Sequence, residues 1–236
     1  MQKLWQSKAA WDDQLPNEIL VPWRTYLQDL IQLNVLKIPR KIICRQSKNL
    51  QLHGFCDSSQ KAYGACIYMV SMDHSGEWHS HLITSKSSLA PLKCISLPKL
   101  ELSSAVLLAK LMKTIKQALN IVEVNTYYYW CDSTIALTFV ANRVAEIQEL
   151  SDPDQWRHVS SSDNAADILS RGTTADKLIN STIWWNGQSW LTGGVNDWPI
   201  SNISCSNPPE LKSKNILLST DIQEWDIFKK FPHLSN

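Results

Sequence analysis

Between Leu50 and Ser85 the chain carries three strand-like runs before its first long helical pattern begins. Residues 50–58 read as a strand, residues 63–71 (Y-G-A-C-I-Y-M-V-S) as a second, and Glu77 to Ser85 as a third beyond a Ser75-Gly76 turn, which makes a hairpin meander. Pro91 and Pro98 bound a loop. From Pro98 to about Leu119 the residues Leu100, Ser104, Leu107, Leu108, Leu111, Ile115 and Leu119 fall on one helical face, and Pro98 suits a helix first turn. Val124 to Cys131 is a strand rich in aromatic and β-branched residues. Short helices over Ser133–Val140 and about Ala141–Leu150, a strand from Gln155 to Ser160 and a helix from Asn164 to about Arg171 follow. The order β-β-β-α-β-α-β-α predicts an α/β domain built on a mixed sheet.

Four carboxylates sit at the ends of these elements, in the contexts F-C-D-S-S (Asp57), K-L-E-L-S (Glu101), W-C-D-S-T (Asp132) and N-A-A-D-I-L-S-R (Asp167). If the strand before Asp132 pairs in parallel with the first strand, Asp57 and Asp132 end side by side at the carboxyl ends of strands, where open α/β sheets bind ligands. Oxygen donors converging from separate elements suit a hard divalent cation, and two such ions can activate water and stabilise the leaving oxygen of a phosphodiester.

Each carboxylate also has a local alternative. Asp57 suits a strand-ending turn, Asp132 before Ser133-Thr134 a helix N-cap, and Asn164-x-x-Asp167 a capping arrangement, while Glu101 suits the dipole of a helix first turn or offsets Lys99. The D-S-T at 132–134 also resembles the Asp-Ser/Thr-Gly turn of aspartic peptidases. Thr134 stands where glycine is needed, and a helix pattern follows, which argues against that chemistry.

The flanks read differently. Residues 1–48 form a helical preface with Leu20, Trp23, Leu27, Leu30 and Ile31 at helical spacing, followed by the extended connector K-I-P-R-K-I-I-C-R. Beyond Arg171, Trp184, Trp185, Trp190 and Trp198 lie among Gly, Asn and Ser, an irregular packed tail. Hydrophobic residues at 44% and charged residues at 19% are ordinary for a soluble domain, and every long apolar run is broken, so no membrane span is expected. Six cysteines without a C-x-x-C pair exclude a zinc ribbon, and buried free thiols in a reducing compartment are expected. Cys56 and Cys131 should point to the opposite sheet face from Asp57 and Asp132. The net charge of +1 decides nothing, but Lys86 to Lys116 holds six lysines against one acid, a basic strip compatible with phosphate contact or with a solvated helix face.

The wording of the chain resembles the Pol polyprotein of BEL/Pao LTR retrotransposons. The matching phrases include W-D-D-Q-L-P, K-A-Y-G-A-C-I-Y, S-L-P-K-L-E-L, C-D-S-T-I-A-L, Q-W-R-H-V, N-A-A-D-I-L-S-R-G and W-W-N-G-Q-S-W-L. The resemblance implies an RNase H-like fold: a five-stranded mixed sheet flanked by helices, with a helical N-terminal connection and an irregular Trp-rich tail. It implies a connection segment after reverse transcriptase over 1–48, the RNase H-like domain over 49–173, and a linker toward integrase over 174–236. It implies Asp57, Glu101, Asp132 and Asp167 as catalytic ligands of two Mg²⁺ or Mn²⁺ ions, and cleavage of the RNA strand of an RNA–DNA hybrid. Lys86, Lys93 and Lys99 are the expected nucleic-acid contacts. The expected partners are the hybrid and the reverse transcriptase and integrase portions of the same polyprotein, in a cytoplasmic virus-like particle or the nucleus. Two departures accompany the resemblance. No histidine matches the one many cellular RNase H enzymes place before the last Asp, since His158 falls within a strand and Ser160-Ser161-Ser162 replaces the loop. C-D-S-T-I-A-L also runs straight into T-F-V-A-N-R-V where relatives carry an additional stretch. An active hybrid nuclease and an inactive RNase H-like module of a Pol protein are the two readings left open.

Overall fold

A computed structural model of the chain describes residues 12–45, 47, 49–93, 95–119, 124–141 and 145–200. The expected start of the N-terminal segment (residues 1–11) and most of the expected linker (residues 201–236) lie outside the described residues.

The elements in order are α1 (Asn17–Ile31), β1 (Leu50–Ser58), β2 (Ala62–Met72), β3 (Trp78–Leu89), α2 (Leu97–Ala118), β4 (Thr126–Cys131), α3 (Thr134–Ala141), α4 (Ala145–Leu150), β5 (Trp156–His158), α5 (Asp167–Arg171), α6 (Ala175–Ile179) and α7 (Thr182–Asn186). Short 3₁₀ turns join several of them. The five strands form one sheet in the order β3-β2-β1-β4-β5. β1 pairs antiparallel with β2 and parallel with β4, and β4 pairs parallel with β5, so the expected mixed sheet forms. Some bounds shift. β3 runs on to Leu89, β5 shortens to Trp156–His158, and the last of the expected helices begins at Asp167 because Asn164 forms a turn ahead of it.

Both sheet faces are covered, which explains why β1 and β2 are almost wholly buried. Leu52 and Cys56 of β1 and Tyr129 and Cys131 of β4 face α2, where Ala105, Leu108, Ala109 and Met112 pack on them. That buried stripe is rotated from the predicted face toward the small residues Ala105 and Ala109. Gly54 allows the close approach, because a Cβ there would lie 2.5 Å from Leu108 Cδ1. Phe55 and Trp130 face the other way, onto Tyr68, Val70, Trp184 and Leu191. The segment expected to be an irregular tail therefore forms α6, α7 and 3₁₀ turns and closes the second core layer. Tyr68 anchors it by donating to the Trp184 carbonyl at 2.8 Å. Wholly buried His53 belongs to this layer, with Nδ1 accepting from Trp130 Nε1 at 3.1 Å and its ring edge-on to Trp198.

Cys56, Cys66 and Cys131 are buried free thiols, as expected. α1 forms despite Pro22 in its interior and buries none of its side chains, so Trp23, Leu27, Leu30 and Ile31 of the predicted stripe are exposed. Asp29 of α1 accepts from the backbone of Ala175 at 2.8 Å, at the start of α6. Among the described residues no helix is long and apolar enough to cross a membrane.

Candidate active site

The strand register places two of the four carboxylates. Cys56 and Cys131 are partners in the parallel β1–β4 ladder, so Asp57 and Asp132, one residue further on, are neighbours at the carboxyl ends of the two central strands. The alternation of the sheet puts both on the face opposite α2, while the preceding cysteines face it.

Asp167 arrives from α5, which lies on the same face through Ile168 and Leu169. Two features hold α5 there. Gly64, the antiparallel partner of Asp57, leaves room for Leu169, since a Cβ on Gly64 would sit 2.4 Å from Leu169 Cβ. Buried Asn164 donates from Nδ2 to the Cys56 carbonyl at 2.9 Å and accepts from the Ala166 amide at 3.1 Å. Its side chain thus ties the turn before α5 to the end of β1, and the expected N-cap role is replaced by a cross-element tether.

Glu101 comes from the opposite layer, in the second turn of α2 and not in the expected first turn, because the helix starts at Leu97. Its link to the others runs through Ser133, whose hydroxyl donates to Glu101 Oε2 at 2.6 Å. Ser133 also accepts from the Ala136 amide at 3.0 Å, so it supplies the cap of α3 that the sequence assigned to Asp132. Asp132 Oδ2 instead accepts from Ser161 at 2.7 Å. Ser170 donates to Asp57 Oδ2, and the Arg171 guanidinium pairs with Asp167 Oδ1. Each of the four carboxylates thus accepts from one hydroxyl or guanidinium group.

Asp57 is only 6% exposed. Burial pushes its carboxyl up to about 6; the hydrogen bond from Ser170 opposes the rise, and the negative charges of Asp132 and Asp167 add to it. Asp57, Asp132 and Asp167 are therefore within electrostatic reach of one another's charge, whereas Glu101 is joined to them through Ser133. No three of the four place oxygens within 4.8 Å of one another. A site for two ions about 4 Å apart spreads its ligands more widely than a site for one. Among the described residues no lysine or arginine forms an ion pair with Asp57. An oxygen-only donor set around a buried carboxylate with excess negative charge fits a hard divalent cation such as Mg²⁺ or Mn²⁺.

One tight set does exist among the described residues: Asp73, Glu77 and His79, on the β2–β3 hairpin. Asp73 Oδ1 accepts from the Ser75 amide at 2.9 Å, the Ser75 hydroxyl at 2.6 Å and the Glu77 amide at 3.0 Å, and Oδ2 meets His79 Nε2 at 3.0 Å. These bonds build the turn. The hairpin lies at the far end of β2 from Gly64, roughly 25 Å along the strand.

Of the three lysines, Lys86 lies on edge strand β3 opposite Ala65, beside the Gly64–Asp57 pair, and Lys99 is two residues from Glu101; both are exposed, as is Lys93 in the β3–α2 loop. The sequence marks Asn164 only as a helix cap, and it gives Ser133, Ser161, Ser170 and Gly64 no role at the site. Ser170 stands three residues after Asp167, the spacing that puts both on one helical face, and that signal was present in N-A-A-D-I-L-S-R.

A meander of three antiparallel strands with two parallel strands added beside the first, and acidic residues at the central strand ends, defines an RNase H-like domain. The chain belongs to the Pao retrotransposon-like RNaseH-like domain family, whose model matches residues 1–133. That match spans Asp57, Glu101 and Asp132 and ends before Asp167. No curated protein matches the chain. Among solved structures, it is similar to RNase H1 from the halophilic archaeon Halobacterium salinarum NRC-1 at 13% identity and a TM-score of 0.31, over 52% of this chain and 95% of that one. It is similar at 10% identity and a TM-score of 0.33 to LC11-RNase H1 in complex with an RNA/DNA hybrid, over 55% of this chain and 99% of that one.

Proposed function

We propose that this domain is a divalent-cation-dependent endoribonuclease that cleaves the RNA strand of an RNA–DNA hybrid during reverse transcription, as the segment of a Pol polyprotein between its polymerase and integrase portions. The observation that carries the proposal is the pairing of Asp57 and Asp132 at adjacent parallel strand ends, with Asp167 brought to them by α5. Asp57, Glu101, Asp132 and Asp167 would hold Mg²⁺ or Mn²⁺. Bound there, two ions supply activation of the attacking water and stabilisation of the departing 3′ oxygen. The protein holds four carboxylates and keeps Asp57 largely out of bulk water, so the cations they would hold, not the carboxylates themselves, would offset the negative charge that develops on the phosphodiester. Lys86, Lys93 and Lys99 are exposed and would offer phosphate contacts. Discrimination of the RNA strand rests on its 2′-hydroxyl, the group DNA lacks.

The second reading, an RNase H-like module without catalysis, draws on the abrupt passage from C-D-S-T-I-A-L to T-F-V-A-N-R-V. One assay separates the two. Full-length protein is incubated with a labelled RNA–DNA hybrid in Mg²⁺ or Mn²⁺, beside an Asp57→Asn control. Cleavage of the RNA strand above that control is expected; equal traces for the two proteins would leave the binding module.

A further inference from the structure

We infer that Ser133 is a positioning residue for Glu101, and that through it the helix after Asp132 sets the direction of the one site carboxylate that comes from the other side of the sheet. The inference rests on the metal-site reading above.

The argument starts from the hydroxyl's single proton. Ser133 Oγ accepts from the Ala136 amide at 3.0 Å, which commits a lone pair to the first turn of α3. Its proton is then directed at Glu101 Oε2, 2.6 Å away. Ser133 is itself held: it is 8% exposed, its carbonyl accepts from Leu137 at 3.1 Å, and its amide points at Cys131 Sγ at 3.4 Å. The donor is therefore fixed by β4 on one side and α3 on the other.

Glu101 needs such a donor more than the three aspartates do. Its side chain has three rotatable bonds where Asp has two, and it reaches from α2, the layer opposite Asp57, Asp132 and Asp167. A hydrogen bond to one carboxylate oxygen restricts the rotation of the group and leaves the second oxygen available to a cation. Such partners of ligating carboxylates change metal affinity by about 10–100-fold when removed. The same contact gives the shortened stretch after Asp132 a route to the site, because loss of the α3 cap would turn the Ser133 hydroxyl away from Glu101.

The test uses the full chain and four variants. Ser133→Gly removes the hydroxyl while keeping a residue tolerated at N-caps, Ser133→Thr keeps both hydrogen bonds, and Glu101→Gln is measured with and without Ser133→Gly. Mn²⁺ affinity is measured by calorimetry, and the Glu101 carboxyl ¹³C resonance is followed without metal. We expect Ser133→Gly to weaken Mn²⁺ binding about ten-fold, Ser133→Thr to restore it, and the glycine change to add nothing in Glu101→Gln. Unchanged Mn²⁺ affinity in Ser133→Gly, or an equal further loss in the Glu101→Gln background, overturns the inference. If the parent binds no Mn²⁺, the proposed function fails on its own. The metal-free resonance then decides: a shift in Ser133→Gly upholds the positioning role, and an unmoved resonance overturns it.

Discussion

Gly64 and Leu169 meet so closely that the space a Cβ would occupy on Gly64 lies 2.4 Å from Leu169 Cβ. Gly64 is the ladder partner of Asp57, and Leu169 is two residues from Asp167. One missing methyl group thus sets how near the third aspartate comes to the first. Gly64→Ala is predicted to lift α5 from the sheet and cost about 1–3 kcal/mol of stability, the usual cost of overpacking. Hybrid cleavage should fall more than ten-fold while Asp57 and Asp132 stay in register. Urea unfolding and a cleavage assay on the same sample check this; parent-like values in both would show that α5 yields without harm.

Asp57→Asn should abolish cleavage without weakening the fold. Burial raises the Asp57 carboxyl to about 6, above the 3.8 of a free carboxyl. The folded chain therefore holds a proton that the unfolded chain has released between these values. The associated stability is complete below about 3.8 and is lost as pH rises through about 6. Above pH 6 in EDTA the amide removes that loss, and a gain of about 1 kcal/mol, roughly 2–4 °C in Tm for a domain this size, is expected. A Tm below that of the parent at pH 7.5 would contradict it.

The same proton competes with the cation. In the proposed site Mg²⁺ or Mn²⁺ would need the Asp57 carboxylate, so affinity should fall as pH drops below about 6 and level off above it. Calorimetric titration with Mn²⁺ from pH 5 to 8 reads this directly. An affinity flat across that range would show that Asp57 is not a ligand.

His53 should be the main acid-sensitive group of the second core layer. Burial pushes its imidazole down to about 3, from an ordinary 6.5. Between these values the unfolded chain binds a proton that the folded chain does not. The stability that neutral His53 contributes is complete above about 6.5 and is lost as pH falls toward 3. His53→Gln retains an acceptor for Trp130 Nε1 and is expected to flatten the fall in unfolding free energy between pH 6.5 and 4. An unchanged slope would assign the acid sensitivity elsewhere.

Residues 174–198 are predicted to be part of the folded domain rather than a detachable linker. Trp184 is buried against the face that holds Tyr68 and Trp130. Trp184→Ala should cost about 3–5 kcal/mol, as for other buried aromatics. A chain ended at Thr173 should expose that face and bind hydrophobic dyes. Cooperative, parent-like unfolding of the shortened chain would refute the assignment.

The order of strands and helices is legible in the sequence because its signals are local: alternation marks β1, aromatic and β-branched residues mark β4, and a 3.6-residue stripe marks α2. The adjacency of Asp57 and Asp132 followed once parallel pairing was assumed, since a strand's register with its neighbour carries every residue along it. The four carboxylates were visible for the same reason, each standing at an element's edge. What surrounds them was not. Ser133, Ser161 and Ser170 are ordinary serines in the sequence, and only the packing of α2, α3 and α5 at one end of the sheet turns their hydroxyls onto Glu101, Asp132 and Asp57. Asn164 has the sequence pattern of a helix cap, but its amide donates to the Cys56 carbonyl, 108 positions away. The Trp-rich segment read as irregular because aromatic residues without a period leave the face they cover undefined. Sequence determines what is set by neighbours along the chain: element type, strand alternation and the supply of acidic side chains at element ends. Tertiary structure alone decides which hydroxyl meets which carboxylate and how deeply Asp57 is buried, because these depend on contacts between residues up to more than a hundred positions apart.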